Sequence, residues 1–427
     1  MRFYIWIHHT GDYEGNTGVQ RVVRGLAAGL AEAGHELVPV RWCPRREAII
    51  RAERRWTEGL ARFGGPRLAA GPEEGEPLHL AAADAGRLDG AWLLMPEVPH
   101  VAGPDAANLA VALDYARFHG LRSAAVFYDL IPLRFPGYEA MAADHARYAR
   151  SLVAADLVLA ISHHSKADLE RWWEEQGYDP ARLPPVLALP LPEELPGAPR
   201  ATEPFDPPAP PVRFLAFGTL EPRKNQVEAM RAFARLCARR PDLDLRFDLV
   251  GGIHEAVAEE VRDLAARERR IRLHHYLPDA KLHAMIAQAH ATVFLSLAEG
   301  YGLPVSESLW YGRPSLCSDD GSIAEIAAGG GCLAVPARDP AAIEQGFERL
   351  ATDPALRLRL AEEACRRPMR RWRDYGAAVA QVLAKAPRLA RLLLIEGSAG
   401  GGDAAAAALQ EGGARLRRLH WRAASRA

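Results

Sequence analysis

The sequence predicts an α/β protein in which two domains of parallel strands and crossover helices face a cleft. Three observations carry this. The chain has 427 residues, 49% apolar and 25% charged, a globular composition long enough for two domains. Short apolar runs alternate with segments of helical period from the first residues onward. A proline-rich stretch interrupts the alternation near the middle, and the same pattern then restarts.

In the first half the runs Phe3 to Ile7, Leu37 to Trp42, Ala91 to Met95, Ser123 to Tyr128, Leu157 to Ile161 and Val186 to Leu189 read as strands. They are short, apolar and bounded by turn residues. Val19 to Ala33, Ala106 to Phe118 and Tyr138 to Ala154 carry apolar residues at helical spacing. Pro190 to Pro196 and Pro207 to Pro211 hold too many prolines for a helix or a central strand, and read as a linker. Beyond it come strands Phe214 to Phe217, Leu245 to Val250, Ile271 to His274 and Thr292 to Leu295, alternating with helices Gln226 to Arg239, Glu255 to Arg267 and Ala280 to Ala289. The expected plan is a first domain over 1–190, a linker over 191–212 and a second domain over 213–367. A C-terminal helix over 368–387 returns to the first domain, and a Gly-rich, basic tail over 388–427 is a loosely docked appendage.

Composition excludes several classes. A formal net charge of -1 gives no basic excess of the kind a nucleic-acid binder uses on phosphates. Five scattered cysteines without a CxxC pair read as reduced thiols of a cytosolic protein. The first apolar run stops at His8, too short for a secretory leader, and no run is long enough to span a membrane. Three His-His pairs, His8-His9, His163-His164 and His274-His275, point to opposite faces where they lie on strands and so chelate poorly together. Asp242-Leu243-Asp244 has the letters of a metal-diphosphate motif but sits at a helix-strand junction. No metal is expected.

Two stretches carry chemistry. Gly218-Thr219-Leu220-Glu221-Pro222-Arg223-Lys224-Asn225 follows a strand and opens a helix. Glycine permits a tight turn, helix N-terminal amides are unpaired, and two adjacent cations suit a diphosphate, although an Arg-Lys pair also serves as plain solvated surface. Ser296 to Glu307 runs from a strand through a Gly-Tyr-Gly turn into a short helix with Pro304 in its first turn. Glu299 then lies at the carboxyl end of the strand, where ligands collect in α/β sheets, and Glu307 lies further along the helix. A carboxylate can accept two adjacent hydroxyls, as on a ribose or hexose. A surface glutamate with a dipole partner is an alternative, and so is a glycosidase-like carboxylate pair. The last leaves Arg223 and Lys224 without a role.

Glu299-Gly300-Tyr301-Gly302-Leu303-Pro304 with Glu307 resembles the E-x7-E motif of retaining glycosyltransferases of family 4. The Gly218 to Asn225 stretch is similar to that family's basic donor-phosphate motif, in the form common among bacterial mannosyltransferase-like members. The match is close over Phe214 to Pro354 and loose elsewhere. It implies the GT-B fold of two Rossmann-like domains, with a nucleotide-sugar donor held by the second. Gly218, Arg223 and Lys224 would hold the diphosphate and Glu307 the ribose. Glu299 would face the sugar near its reacting carbon, beside Gly300 and the amides of Gly302 and Leu303. Where many members carry an arginine after the first glycine, this chain has Thr219.

In the first half, Gly11 to Arg21 resembles the family's N-terminal Thr-Gly-x-x-Arg loop, which implies that Thr17, Gly18 and Arg21 face the donor phosphates and acceptor; a simple capping loop is the alternative. Asp129 ends a strand, and either orients the acceptor hydroxyl, takes its proton, or caps the next turn. Tyr128 stands where many relatives have a donor-contacting histidine. The resemblance implies retaining transfer of a hexose, mannose from GDP-mannose as first guess, to a glycan or lipid-linked acceptor in bacterial surface polysaccharide synthesis. The transfer would be metal-independent and use no cofactor besides the donor. A sugar-nucleotide epimerase and a nucleotide-sugar-binding protein without transfer activity are the rivals. Cys43 to Gly64, with Ile49, Trp56, Leu60 and Phe63 at helical spacing among arginines, reads as one amphipathic helix, either docked or in peripheral contact with the inner face of a membrane.

Overall fold

The computed structural model describes residues 1–84, 86–99 and 109–387. The tail over 388–427 and residues 106–108 of the expected third helix lie outside the described residues.

The first domain is a seven-stranded sheet of β1 (Arg2–Trp6), β2 (Glu36–Cys43), β3 (Ala48–Arg51), β4 (Trp92–Met95), β5 (Arg122–Phe127), β6 (Leu157–Ala160) and β7 (Val186–Ala188). Their order is β3-β2-β1-β4-β5-β6-β7. All neighbours are parallel except β2 and β3. The second domain is a six-stranded parallel sheet of β8 (Val212–Phe217), β9 (Leu245–Val250), β10 (Ile271–His274), β11 (Ala291–Phe294), β12 (Ser315–Ser318) and β13 (Cys332–Val335), in the order β10-β9-β8-β11-β12-β13. The near-continuous burial of β1, β4 and β11 is what parallel strands covered on both faces require.

Each sheet reverses its winding once, between β1 and β4 in the first and between β8 and β11 in the second. Such points open a crevice at the carboxyl ends of the strands. The loops after β1, β8 and β11 are the three stretches singled out by sequence.

Residues 189–211 form neither helix nor strand, as their prolines dictate. The linker is nonetheless docked: Tyr301 Oη donates to Leu191 O at 2.7 Å, and Glu193 and Glu194 accept the amides of Arg370 and Trp372 at 2.9 and 2.8 Å. The helix Trp372–Lys385 lies across the first-domain helix Gly18–Glu32. Glycines make the crossing close: a Cβ on Gly29 would stand 1.9 Å from Trp372 O. One apolar cluster runs from Phe3 and Leu94 through Tyr128 and Tyr301 to Val305 and Trp372, so a shared core joins the two sheets.

The single helix expected over Cys43 to Gly64 is corrected. Ile49 lies in β3, paired antiparallel with Trp42 of β2, and only Arg54–Leu60 is α-helical. Adjacent β-branched Ile49 and Ile50 favour a strand, and Glu47, in the left-handed region at φ 44°, turns the chain back. Trp56 and Leu60 are buried beneath the loop after β1, while Phe63 is exposed.

Candidate functional site

Strand β8 ends at Phe217, and Gly218 takes φ +105°, a conformation that favours glycine. The turn Pro222–Lys224 then leads through Asn225, also left-handed at φ 59°, into the helix Gln226–Arg239. Strand β11 ends at Phe294, and the chain passes through Glu299 and Gly302, at φ +117°, into the helix Leu303–Trp310.

These two turns are tied together. Leu297 N donates to Arg223 O at 2.8 Å, and Arg223 Nη1 donates to Ala298 O at 2.9 Å and pairs with Glu299 Oε1 at 2.6 Å. Ser296 Oγ donates to the same Glu299 oxygen at 2.9 Å. Arg223 Nη2 pairs with Glu221 Oε1 at 2.6 Å. Burial opposes the charge on Arg223, but Glu299 and then Glu221 outweigh it and raise its pKa. Burial would likewise raise Glu221, but Arg223 and then Lys224 hold it below the usual carboxylate range. Lys224 Nζ stands 3.6 Å from Glu221 and lies over Gly218, where a Cβ would come within 3.1 Å of it.

The first domain closes on this unit. Glu307, buried in its helix, forms an ion pair with Arg21 across the cleft. Thr17 begins the helix Gly18–Glu32; its hydroxyl bonds to Gln20 Oε1 and caps no backbone amide. A Cβ on Gly18 would lie 4.0 Å from Leu303 Cδ1, so this loop borders the turn that leads into the helix Leu303–Trp310. Gly300 sits against the end of β5: an added Cβ would stand 2.6 Å from Tyr128 O and 3.1 Å from Asp129 Oδ2. Gly300 O accepts from Ser162 and Ser165 Oγ at 2.8 and 3.0 Å. Asp129 Oδ1 accepts from Ile131 N at 3.0 Å, the capping arrangement, with its other oxygen turned to the Gly300 side.

The structure therefore gathers Glu299, Gly300, Gly302, Leu303, Glu307, Arg223, Lys224 and Gly218 on one side, and Thr17, Gly18, Arg21 and Asp129 on the other. Four contributors escaped sequence reasoning. Tyr138 Oη donates to Glu221 Oε2 at 2.9 Å from the first domain. Glu221 lies within the Gly218–Asn225 stretch, where an acidic residue beside two cations carries no signal of its own in sequence. Glu97 is fully buried, accepts from His9 and Thr10 N at 2.9 and 2.6 Å, and has its pKa raised by that burial. It follows a strand as Asp129 does, and the same rule could have found it. Arg24, one turn after Arg21, gathers Gly15 O and Asn16 Oδ1 at 3.1 and 2.8 Å and so stiffens the loop after β1.

The histidine pairs are spent separately. Burial, then Arg41, lowers His8 to about 4; His274 meets Asp248 at 2.7 Å; the backbone amides of His163 and His164 donate to Glu325. Asp242 pairs with Arg240 at 2.6 Å. Among the described residues no three His, Cys, Asp or Glu side chains converge as a metal site, and no helix is long and apolar enough to cross a membrane.

Known proteins resemble this chain in sequence and in fold. Residues 201–367 match the family described as glycosyl transferases group 1. The chain is 28% identical over 232 residues to O-antigen chain mannosyltransferase B of Escherichia coli, covering 50% of this chain and 58% of that protein. It is 25% identical over 233 residues to the serotype-specific mannosyltransferase WbdA of E. coli, covering 52% of this chain. The chain thus spans little more than half of the first relative and 29% of the second. Among solved structures, Anabaena HepE in complex with UDP and glucose superposes with a TM-score of 0.58 at 15% identity, covering 90% of this chain and 99% of HepE. That likeness establishes the two-domain GT-B architecture.

Proposed function

We propose that the protein is a retaining glycosyltransferase that moves a hexose, mannose as first choice, from a nucleoside diphosphate sugar to a glycan or lipid-linked acceptor. The observation that carries this reading is the joining of the Gly218–Asn225 and Glu299–Glu307 turns into one unit at the switch point of the second sheet. Glu307 takes the ribose hydroxyls, as Arg21 now occupies it with charge-assisted bonds. The cationic corner before the helix Gln226–Arg239 meets the diphosphate, with no metal required. Glu299, held through one oxygen, turns its other toward the sugar beside the amides of Gly302 and Leu303.

In the reaction the bond from the sugar's anomeric carbon to the diphosphate oxygen breaks and an acceptor oxygen bonds that carbon from the same face. The acceptor proton passes to Asp129 or to the departing phosphate oxygen. The protein contributes stabilisation of the leaving diphosphate and orientation of an oxocarbenium-like carbon. Closure of the first domain keeps out water, which would otherwise hydrolyse the donor. The names of the E. coli relatives, an O-antigen chain mannosyltransferase and a serotype-specific mannosyltransferase, support mannose and a place in bacterial surface polysaccharide synthesis. The UDP complex of HepE keeps uridine donors in the trial.

The test is incubation with GDP-mannose or UDP-glucose and a mannose-terminated oligosaccharide, following nucleotide release and the anomeric signal of the product by NMR. Acceptor-dependent release with an α-linked product is expected. A β-linked product would refute retention, donor binding without release would mark a binding protein, and epimer formation without acceptor would mark an epimerase.

A further inference from the structure

We propose that the two cations of the Gly218–Asn225 turn divide their work: Lys224 meets the donor diphosphate, whereas Arg223 is a positioning residue that holds Glu299 in place and links it to the first domain. This rests on the function proposed above and departs from the paired role that the motif implies.

The bonding of Arg223 leaves it little to offer a ligand. A guanidinium has five N–H donors in a fixed fork. Nη1 is used by Ala298 O at 2.9 Å and Glu299 Oε1 at 2.6 Å, Nη2 by Glu221 Oε1 at 2.6 Å, and Nε points to Tyr138 Oη at 3.4 Å. The Arg223 side chain is 13% exposed and that of Lys224 15%, so it is bonding and not exposure that separates the two cations. A phosphate approaching this fork would have to displace Glu299 or Glu221, leaving a buried carboxylate unpaired. The backbone of Arg223 is committed to the same turn through Leu297 N. Arg223 thus grips residues 297–299 by main chain and side chain at once.

Lys224 is placed differently. Among the described residues its ammonium has one acidic partner within 4 Å, Glu221 at 3.6 Å, beyond hydrogen-bond length. It lies over Gly218, at the mouth of the strand and against a backbone that carries no Cβ. A compact point charge with three donors suits a diphosphate there. Glu221 lies between the two cations and accepts from Tyr138 Oη at 2.9 Å, so the arrangement around Glu299 depends on the first domain being closed.

The test compares affinity for GDP and guanosine, and for UDP and uridine, by titration calorimetry, together with kcat and donor KM. The ratio of nucleoside to nucleoside diphosphate Kd reads the diphosphate contact alone. Lys224→Gln should lower that ratio about tenfold or more, while Arg223→Gln keeps it within about threefold and loses kcat by about thirtyfold or more. In a Glu299→Gln background, Arg223→Gln should cost little further kcat, because both changes break one unit. Arg223→Lys keeps a charge but not the fork, and should keep the ratio and still lose kcat, which guards against a Gln variant that does not fold. Loss of the ratio in Arg223→Gln equal to that in Lys224→Gln, additive losses with Glu299→Gln, or full kcat in Arg223→Lys would each overturn the proposal. A wild-type protein that binds neither diphosphate overturns the proposed function itself, and that result is distinct because no variant is involved.

Discussion

Gly300 shows how a single missing side chain decides the site. Its carbonyl is held by two serines, and any Cβ would press on Tyr128 O at 2.6 Å, a separation real Cβ atoms do not adopt. Gly300→Ala should therefore push the Glu299 turn from the first domain, with a loss of transfer of about tenfold or more and a lower unfolding midpoint, read by kcat/KM and calorimetry. Glu307→Ala should weaken donor binding by about 1–3 kcal/mol and also leave Arg21 without its buried partner. Glu299, Glu307, Arg223 and Lys224 were legible because their chemistry lies in contiguous sequence. Arg24, Glu97 and Tyr138 were not, because their partners are loop carbonyls, loop amides or a distant carboxylate that come near only after folding. Thr17 shows the opposite case: a residue type that caps helices stands at a helix start and bonds elsewhere.

Most strands were legible as elements, since parallel strands form short runs rich in apolar residues and bounded by turns. The helix Glu255–Arg267 and strands Leu245–Val250 and Ile271–His274 fall where the sequence puts them. The stretch after Cys43 misled because Ile49, Trp56, Leu60 and Phe63 share a helical spacing by coincidence. What settles that segment is pairing between β2 and β3, a contact periodicity cannot register. The helix Trp372–Lys385 makes a prediction at this scale. Gly29 on one helix and Gly376 on the other let the backbones touch, and Gly25 makes room for the Trp372 ring. Gly29→Leu should overpack the crossing, cost about 1–3 kcal/mol and lower the midpoint by several degrees, measured by differential scanning calorimetry.

Across the whole molecule, the described structure is closed. Arg21 with Glu307, Tyr138 with Glu221, and the amides of His163 and His164 with Glu325 bridge the cleft around an apolar seam. The groups proposed above to bind a donor are thus occupied by the protein itself, and a ligand would exchange with them. Stability should also depend on pH. Burial first lowers His8, His119 and His290 to about 4; Arg41 adds to it at His8 and His79 at His119, while Asp206 works against it at His290. The unfolded chain takes these protons near 6.5 and the folded one does not, so stability is full above about 6.5 and falls as pH drops toward 4. A midpoint measured from pH 7.5 to 5 should decline, and an unchanged midpoint would contradict the burial of these rings.

If the joined turns of the second domain hold a nucleoside diphosphate sugar, as proposed, thermal unfolding should respond to the donor. A ligand bound only by the folded state stabilises by about 2.7 kcal/mol at a hundred times its Kd. At least one of GDP-mannose and UDP-glucose should raise the wild-type midpoint with concentration, free mannose should not, and Glu307→Gln should lose most of the rise. No rise with any nucleotide sugar, or an undiminished rise in Glu307→Gln, would contradict the account.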